Sequence, residues 1–237
     1  MFNPETSPHL PPDFSGQVRL FPLPNLVMFP HVVQPLHVFE PRYRAMLEDS
    51  LAADHLIAMA LLDSSKPKFE QPDPPIHSTI CIGRVVAHAK QKEGTYNLAL
   101  LGLQRAQVLR ELPREKLYRI AEVVVQEDIY LDEPDASLQE LQSGLVTCFQ
   151  RLIAGSVSNP KEFQALLGGD VPLGVLTDII GFTIDFPIRF KQALLSENRV
   201  TERATMLREA LERVQVATDP AAATAKRLTY PPRFSEN

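Results

Sequence analysis

The first half of the chain carries short apolar runs without helical spacing, and these runs predict β-strands. Seven runs rich in Val, Ile and Leu occupy residues 18–20, 32–38, 56–62, 79–89, 96–103, 107–112 and 119–125. Glu93 and Gly94 lie between two of them and predict a hairpin turn. Residues 98–101 are apolar on both alternating faces, which predicts strands that are covered on both sides. Gly83 inside a run predicts a bulge or a barrel corner.

One helix is predicted among the strands, and several helices follow them. Pro41 suits a first helical position, and apolar residues recur after it at helical spacing as far as Leu51. Beyond Asp128 the apolar period changes to steps of three and four, over residues 138–152 and again over 200–214. Asn159-Pro160, Pro172 and Pro187 predict helix starts between these stretches. Strands followed by helices predict an α+β fold.

The composition divides the chain into four predicted parts. Residues 1–16 and 218–237 are rich in Pro, Ser, Ala and Thr without an apolar period, and they predict a disordered leader and a disordered tail. Residues 17–128 form the predicted β-rich domain, and residues 129–217 form the predicted helical bundle. The 237 residues are long enough to bury a core without disulfides or metals.

Motifs and composition argue against a catalytic or metal-binding protein. Cys81 and Cys148 lack the C-x-x-C spacing of a zinc site, and two cysteines predict no disulfide framework. The six histidines are not spaced as metal ligands, and no dinucleotide, phosphate-loop, serine-hydrolase or zinc-protease motif occurs. We therefore expect a non-enzymatic protein with no catalytic residue, no cofactor and no metal.

The longest uncharged stretch does not predict a membrane span. Residues 20–39 contain four prolines, so a lipid-exposed helix could not satisfy its backbone hydrogen bonds there. The first 16 residues contain neither lysine nor arginine and no apolar run of the kind that a secretory signal carries. We therefore expect a cytoplasmic protein that does not bind a membrane.

Two surfaces are candidates for binding a partner. The first is apolar: Met28 and Phe29 lie between prolines, and Phe69 lies in a charged, proline-rich loop, where exposed side chains would bind a polypeptide. The alternative is that this apolar run before Pro30 fills the core. The second is basic: residues 79–120 carry eight Lys and Arg against three Glu, and Arg110, Arg114 and Lys116 would form a basic rim.

The basic rim is compatible with two kinds of partner, RNA phosphates or acidic peptide segments. Against a nucleic-acid partner stand the net charge of −5 and the pI of about 5.7, which do not indicate a general polyanion binder. Strand residues also alternate between two faces, which would divide the positive charge between them.

Several runs of residues resemble one known family. Residues 20–30, which read LFPLPNLVMFP, and residues 35–43, which read PLHVFEPRY, resemble the opening of the Lon protease N-terminal domain, also called the Lon substrate-binding domain. Residues 82–85, 93–95 and 102–106 are similar to its central strands, and residues 176–180, 191–195 and 200–204 to its C-terminal helices. The resemblance covers residues 18–216.

The resemblance implies a fold and a function. The fold would be a PUA-like six-stranded pseudo-barrel β domain followed by a C-terminal helical bundle. The function would be recognition of unfolded or exposed protein segments, as an adaptor for proteolysis or quality control that works with a protease or a chaperone. Full Lon proteases continue into ATPase and peptidase domains, so the resemblance is to a stand-alone, non-catalytic member. Because this type of β domain also occurs in RNA-binding modules, RNA binding through the basic face is the alternative, and the oligomeric state stays unknown.

Overall fold

The computed structural model describes residues 9–65, 73–131, 135–153, 171–217 and 235–236. These residues form a mixed β-sheet followed by helices. The strands are β1 (Gln17–Leu23), β2 (Val33–Val38), β3 (Leu56–Leu61), β4 (Thr79–Lys90), β5 (Tyr96–Glu111), β6 (Arg119–Gln126) and the two-residue β7 (Ser235–Glu236). The helices are α1 (Pro41–Leu51), α2 (Asp135–Ile153), α3 (Leu173–Thr183), α4 (Ile188–Ser196) and α5 (Val200–Ala217). The predicted α+β class, with strands first and helices afterwards, is confirmed.

The strands form one sheet, and hydrogen-bonded pairing joins five of them, β4, β3, β1, β6 and β5, into a closed ring. Their order is β4-β3-β1-β6-β5-β2-β7, and β4 pairs with β5 as well as with β3. The two runs predicted at 96–103 and 107–112 are one continuous strand, β5. The polar residues between the two runs belong to the same paired strand. Arg105, for example, lies opposite Cys81 of β4 on one side and opposite Gln126 of β6 on the other.

Local backbone features of the β4–β5 pair agree with the sequence. The hairpin between them turns at Gly94, whose φ is +76°, and the Gln91 N–H donates to the Thr95 carbonyl at 2.8 Å. The register of the pair shifts between Ile82 and Gly83, and a Cβ at Gly83 would lie 2.7 Å from the Leu100 side chain. The predicted hairpin and the predicted irregularity at Gly83 are therefore confirmed.

Both faces of the strands are buried, each in its own apolar cluster. The inner cluster contains residues that alternate along the strands, among them Val18, Leu20, Leu56, Ala58, Ile80, Ile82, Leu103, Ala121 and Val123. The outer cluster takes the intervening residues, including Phe21, Ile57 and Met59, together with α1 and the apolar faces of α2 to α5. Burial on two sides explains why the strands lack a clean alternation of apolar and polar residues.

The beginning of the described chain covers part of the inner cluster. Leu10 and Phe14 pack against it, and the His9 carbonyl oxygen accepts a hydrogen bond from the buried Arg84 at 2.9 Å. In the described part of the predicted leader, residues 9–16, these contacts lie against the β domain, while Pro12, Asp13 and Ser15 are exposed. Residues 1–8 and 218–234 lie outside the described residues, as does the helix start predicted at Asn159-Pro160.

A cluster of two arginines and two aspartates joins the sheet to the helices, and all of its members are buried except Asp128, whose side chain is 23% exposed. Arg105 of β5 pairs with Asp178 of α3 through two hydrogen bonds, one of them 3.1 Å long. Arg203 of α5 donates to Asp128 at 2.7 Å and to the Thr177 hydroxyl at 2.8 Å. Two positive and two negative side chains balance in charge, and we call this group the buried ion cluster. It lies where the strand half and the helical half of the chain meet.

Candidate functional site

The apolar run before β2 is part of the core and is not a binding surface in this conformation. Met28 is 1% exposed and Phe29 is fully buried. The carbonyl oxygen of Phe29 approaches Gly102 so closely that a Cβ there would overlap it, and the Phe29 ring lies against Gly181 of α3. The expectation that Met28 and Phe29 form an exposed peptide-binding patch is therefore corrected, and the alternative of a core segment is the one observed.

The sequence contained one signal for this burial. Gly102 in the middle of a strand indicates a close backbone approach, and the backbone that approaches it is that of Phe29. Nothing in the spacing of residues 20–30 relates them to a glycine 70 positions away. Phe69, the third residue of the predicted patch, lies outside the described residues.

The predicted basic rim is exposed, but each of its cations is paired with a carboxylate. Arg110 donates two hydrogen bonds of 2.7 Å to Glu122. Arg114 binds Asp73 at 2.7 Å, and Lys116 binds Asp49 at 3.0 Å. The three pairs offset three of the five net positive charges of residues 79–120, because their acidic partners lie outside that segment of sequence. This arrangement gives no support to a nucleic-acid interface at these three residues.

An open cleft of about 340 Å³ lies between β1, α1 and the loop that precedes β6. Asp49 accepts a 2.6 Å hydrogen bond from the Tyr118 hydroxyl, and this bond together with Lys116 lowers the pKa of the Asp49 carboxyl. Burial and the Asp49 carboxylate raise the pKa of Tyr118 to about 12. Arg19 and Asp54 form a second pair of 2.7 Å. The charged groups lining this cleft are thus matched to one another, and they do not form an acid–base pair poised for catalysis.

Metal ligands, membrane-spanning helices and reactive thiols are the remaining features of the described part of the chain that bear on function. No group of three or more His, Cys, Asp or Glu side chains there is placed to hold a metal ion. No helix among the described ranges has both the length and the apolar character needed to cross a bilayer. Cys81 is buried, and burial raises the pKa of its thiol, which disfavours the reactive thiolate.

Sequence reasoning missed an exposed apolar segment between β6 and α2. Ile129, Tyr130 and Leu131 are consecutive and are 47%, 50% and 47% exposed, and we call them the linker strip. The Ile129 N–H donates to the Asn198 carbonyl at 2.8 Å, and the Val200 N–H donates to the Ile129 carbonyl at 3.0 Å. Backbone hydrogen bonds therefore hold these apolar side chains at the seam between strands and helices. The signal in the sequence was an apolar triplet that belongs to neither predicted period.

The outer edge of β2 is a second feature that sequence reasoning missed. One side of β2 pairs antiparallel with β5. On its other side, β2 pairs with β7 within the described residues. The two strands are parallel, with Leu36 opposite Ser235 and His37 opposite Glu236. Phe39, just beyond β2, is 40% exposed, and its ring stacks on His37 with centroids 6.2 Å apart. An extended segment of polypeptide thus occupies this edge.

Comparison with known proteins gives a family match over most of the chain. The sequence model described as the ATP-dependent protease La (LON) substrate-binding domain matches residues 17–213. The Lon protease of Heliobacterium modesticaldum is 30% identical over 202 residues, which are 83% of this chain and 24% of that relative. The Lon protease of Anaeromyxobacter dehalogenans is 28% identical over 204 residues, which are 85% of this chain and 24% of that relative. The chain therefore spans about a quarter of the length of these relatives.

Two solved structures have a similar fold. The N-terminal domain of a Mycobacterium avium complex Lon protease superposes with a TM-score of 0.66 at 19% identity, covering 83% of this chain and 98% of that domain. A Lon N-terminal domain protein from Xanthomonas campestris superposes with a TM-score of 0.57 at 20% identity, covering 84% of this chain and 97% of that protein. At these identities the likeness concerns the fold alone.

Proposed function

The chain belongs to the family of Lon protease substrate-binding domains, and on that premise we propose that it recognises unfolded or exposed polypeptide segments and catalyses no reaction on them. Bound segments would then be presented to a protease or a chaperone, so that the protein serves as an adaptor in quality control. The β domain would be a pseudo-barrel of the PUA-like type. The additional pairing of β4 with β5, which closes the sheet, supports this fold assignment.

The observation that carries the proposal is the linker strip. Unfolded polypeptides differ from folded ones in exposing apolar side chains, so a receptor for them needs exposed apolar side chains of its own. Ile129 and Leu131, two positions apart in the sequence, offer such side chains, and each is about half exposed. Because the backbone of Ile129 is held by hydrogen bonds to Asn198 and Val200, binding would not have to order this segment first.

The test is the double variant Ile129→Ser and Leu131→Ser in the full chain. The probe is a labelled, permanently unfolded protein such as reduced and carboxymethylated α-lactalbumin, followed by fluorescence anisotropy. At ~25 cal/mol per Å², burial of the exposed parts of both side chains is worth up to about 2 kcal/mol, or about thirtyfold in Kd. We therefore expect weaker binding of about that size. Because each side chain is about half buried, the Tm should also fall, and circular dichroism verifies that the variant is folded at the temperature of the binding measurement.

Leu117→Ser is the matched control, because Leu117 is an exposed leucine on the loop before β6, away from the linker strip. This variant should bind the unfolded protein as the unmodified chain does. An equal loss in the control and in the double variant would contradict the assignment of the strip. If the unmodified chain binds no unfolded protein, the proposed function itself is wrong.

A further inference from the structure

The main-chain groups on the outer edge of β2 can be assigned from its pairing with β5. The Gly102 N–H donates to the Val32 carbonyl at 2.8 Å, which directs the main-chain groups of Val32 toward β5. In an antiparallel pair every second residue does the same, so the main-chain groups of residues 33, 35 and 37 point to the opposite, outer edge. The outer edge of β2 is therefore formed by Val33, Pro35 and His37.

Pro35 divides this edge into two halves. Proline has no N–H to donate, which interrupts a ladder of hydrogen bonds at this position. Its carbonyl oxygen accepts a 2.8 Å hydrogen bond from the Gln34 side chain and retains a second lone pair. On the Phe39 side of Pro35, the edge offers the Pro35 carbonyl and both main-chain groups of His37. These groups can hold one short parallel strand but cannot extend it past Pro35.

The chain's own segment lies at this short site and in this direction. In the observed register, the parallel pattern places the main-chain groups of Ser235 between those of Pro35 and His37. The Ser235 N–H then faces the Pro35 carbonyl, and the Ser235 carbonyl faces the His37 N–H. The contacts to the edge would come from the peptide backbone, which any extended polypeptide carries.

We propose that the edge formed by Pro35, His37 and Phe39 is a strand-addition site for a short extended polypeptide segment that runs parallel to β2. This inference rests on the proposed function and names the second element through which a client chain would bind. The occupant is an extended client segment, and Ser235–Glu236 is its intramolecular competitor. Phe39, exposed and stacked on His37, supplies an apolar contact beside the strand.

The experiment uses the full chain and a labelled heptapeptide, PPRFSEN, which repeats residues 231–237. The variant Ser235→Pro removes the N–H through which the chain's own segment would bind the Pro35 carbonyl. A tethered segment has an effective concentration of about 1 mM, so against a Kd of about 0.1 mM its release should tighten peptide binding about tenfold. Fluorescence anisotropy of the labelled peptide gives the two Kd values.

Two further measurements test the hydrogen-bonding pattern. A heptapeptide that is N-methylated at the residue equivalent to Ser235 should lose binding, because it cannot donate to the Pro35 carbonyl. In the Ser235→Pro background, His37→Pro should abolish binding of the unmodified peptide. Val33→Pro is its matched control, because it removes the outward N–H on the far side of Pro35, and it should leave peptide binding unchanged. Circular dichroism verifies that each proline variant folds.

The outcomes separate this inference from the proposed function. Equal binding of the methylated and unmodified peptides, or equal effects of His37→Pro and Val33→Pro, would overturn the strand-addition site. If unfolded α-lactalbumin still binds through the linker strip in that case, the proposed function stands without this site. If neither the peptide nor the unfolded protein binds, both are wrong.

Discussion

The buried ion cluster and the basic rim are built from the same kind of pair, yet their positions give them opposite roles. In both, an arginine on a strand of the sheet binds a carboxylate, Arg105 with Asp178 in one and Arg110 with Glu122 in the other. Arg105 and Asp178 are withdrawn from water, whereas most of the Arg110 side chain is exposed. Coulomb interactions are strong and desolvation is costly only where water is excluded. We therefore expect the buried cluster to fix how sheet and helices meet, and the rim to contribute little to stability.

The largest effect should follow from removing one charge of the buried cluster. Asp178→Asn keeps the size of the side chain but leaves Arg105 and Arg203 with a single carboxylate, Asp128. Breaking a buried ion pair on one side costs about 3–5 kcal/mol. Urea unfolding followed by circular dichroism should show a loss of that order.

Asp73→Asn is the matched control, because Asp73 is the exposed carboxylate that pairs with Arg114. Its loss should cost at most about 1 kcal/mol. The comparison between the two regions fails if Asp178→Asn is as mild as Asp73→Asn.

Lys191 of α4, a partly buried lysine, should have an intermediate effect of opposite sign, because its charge lowers the stability of the folded state. The Lys191 ammonium donates to the Phe182 carbonyl at 2.9 Å, and burial lowers the pKa of Lys191 from 10.5 to about 8, partly offset by Asp185. Below pH 8 the folded protein carries the full cost of this buried charge. Between pH 8 and 10.5 the folded state has released the proton that the unfolded state still binds, so stability should rise with pH through this window.

Lys191→Met should remove that dependence on pH. At ~1.4 kcal/mol per pH unit between folded and unfolded pKa, less the hydrogen bond to Phe182, the variant should be more stable by about 2 kcal/mol at pH 7. Chemical denaturation at pH 7, 9 and 10.5 measures this difference. A variant whose stability rises between pH 8 and 10.5 as much as that of the unmodified chain would refute the assignment to Lys191.

The smallest effect is expected at the basic rim. Arg110→Gln removes one partner of an exposed pair with Glu122, and such pairs contribute about 0–1 kcal/mol. Because dissolved ions screen exposed charges, the difference in the free energy of unfolding should shrink further in 0.5 M NaCl. Denaturation at low and high salt determines both values. A loss above 2 kcal/mol that salt does not reduce would show that Arg110 acts as the buried arginines do.

The elements that the sequence predicted best are those with a local cause. Pro172 and Pro187 directly precede α3 and α4, as proline at a helix start requires. The apolar period over residues 200–214 lies on α5, and on the same helix Glu209 and Arg213, one turn apart, pair at 3.1 Å. Each of these features depends on residues within one helical turn. The sequence alone is therefore enough to predict them.

The candidate site was predicted least well, because its properties depend on contacts between distant residues. Their apolar side chains and flanking prolines made Met28 and Phe29 candidates for an exposed binding surface. In the fold, Phe29 is buried between Gly102 of β5 and Gly181 of α3. The rim residues lie in a segment, residues 79–120, that is basic in sequence, but their acidic partners Asp49, Asp73 and Glu122 lie outside it. The exposure of the linker strip does not follow from sequence spacing, because it depends on which other segments pack around residues 129–131.

The sequence by itself determined the order of strands and helices, the turn at Gly94, the irregularity at Gly83 and the family. These follow from φ/ψ preferences and from apolar periods, which act over a few residues. Only the tertiary structure decided that β5 is one strand, that Arg105 meets Asp178 across 73 positions, and that Ser235–Glu236 lies on β2. Burial and ion pairing depend on which distant segments meet when the sheet closes and the helices pack on it, and this is a property of the whole folded chain.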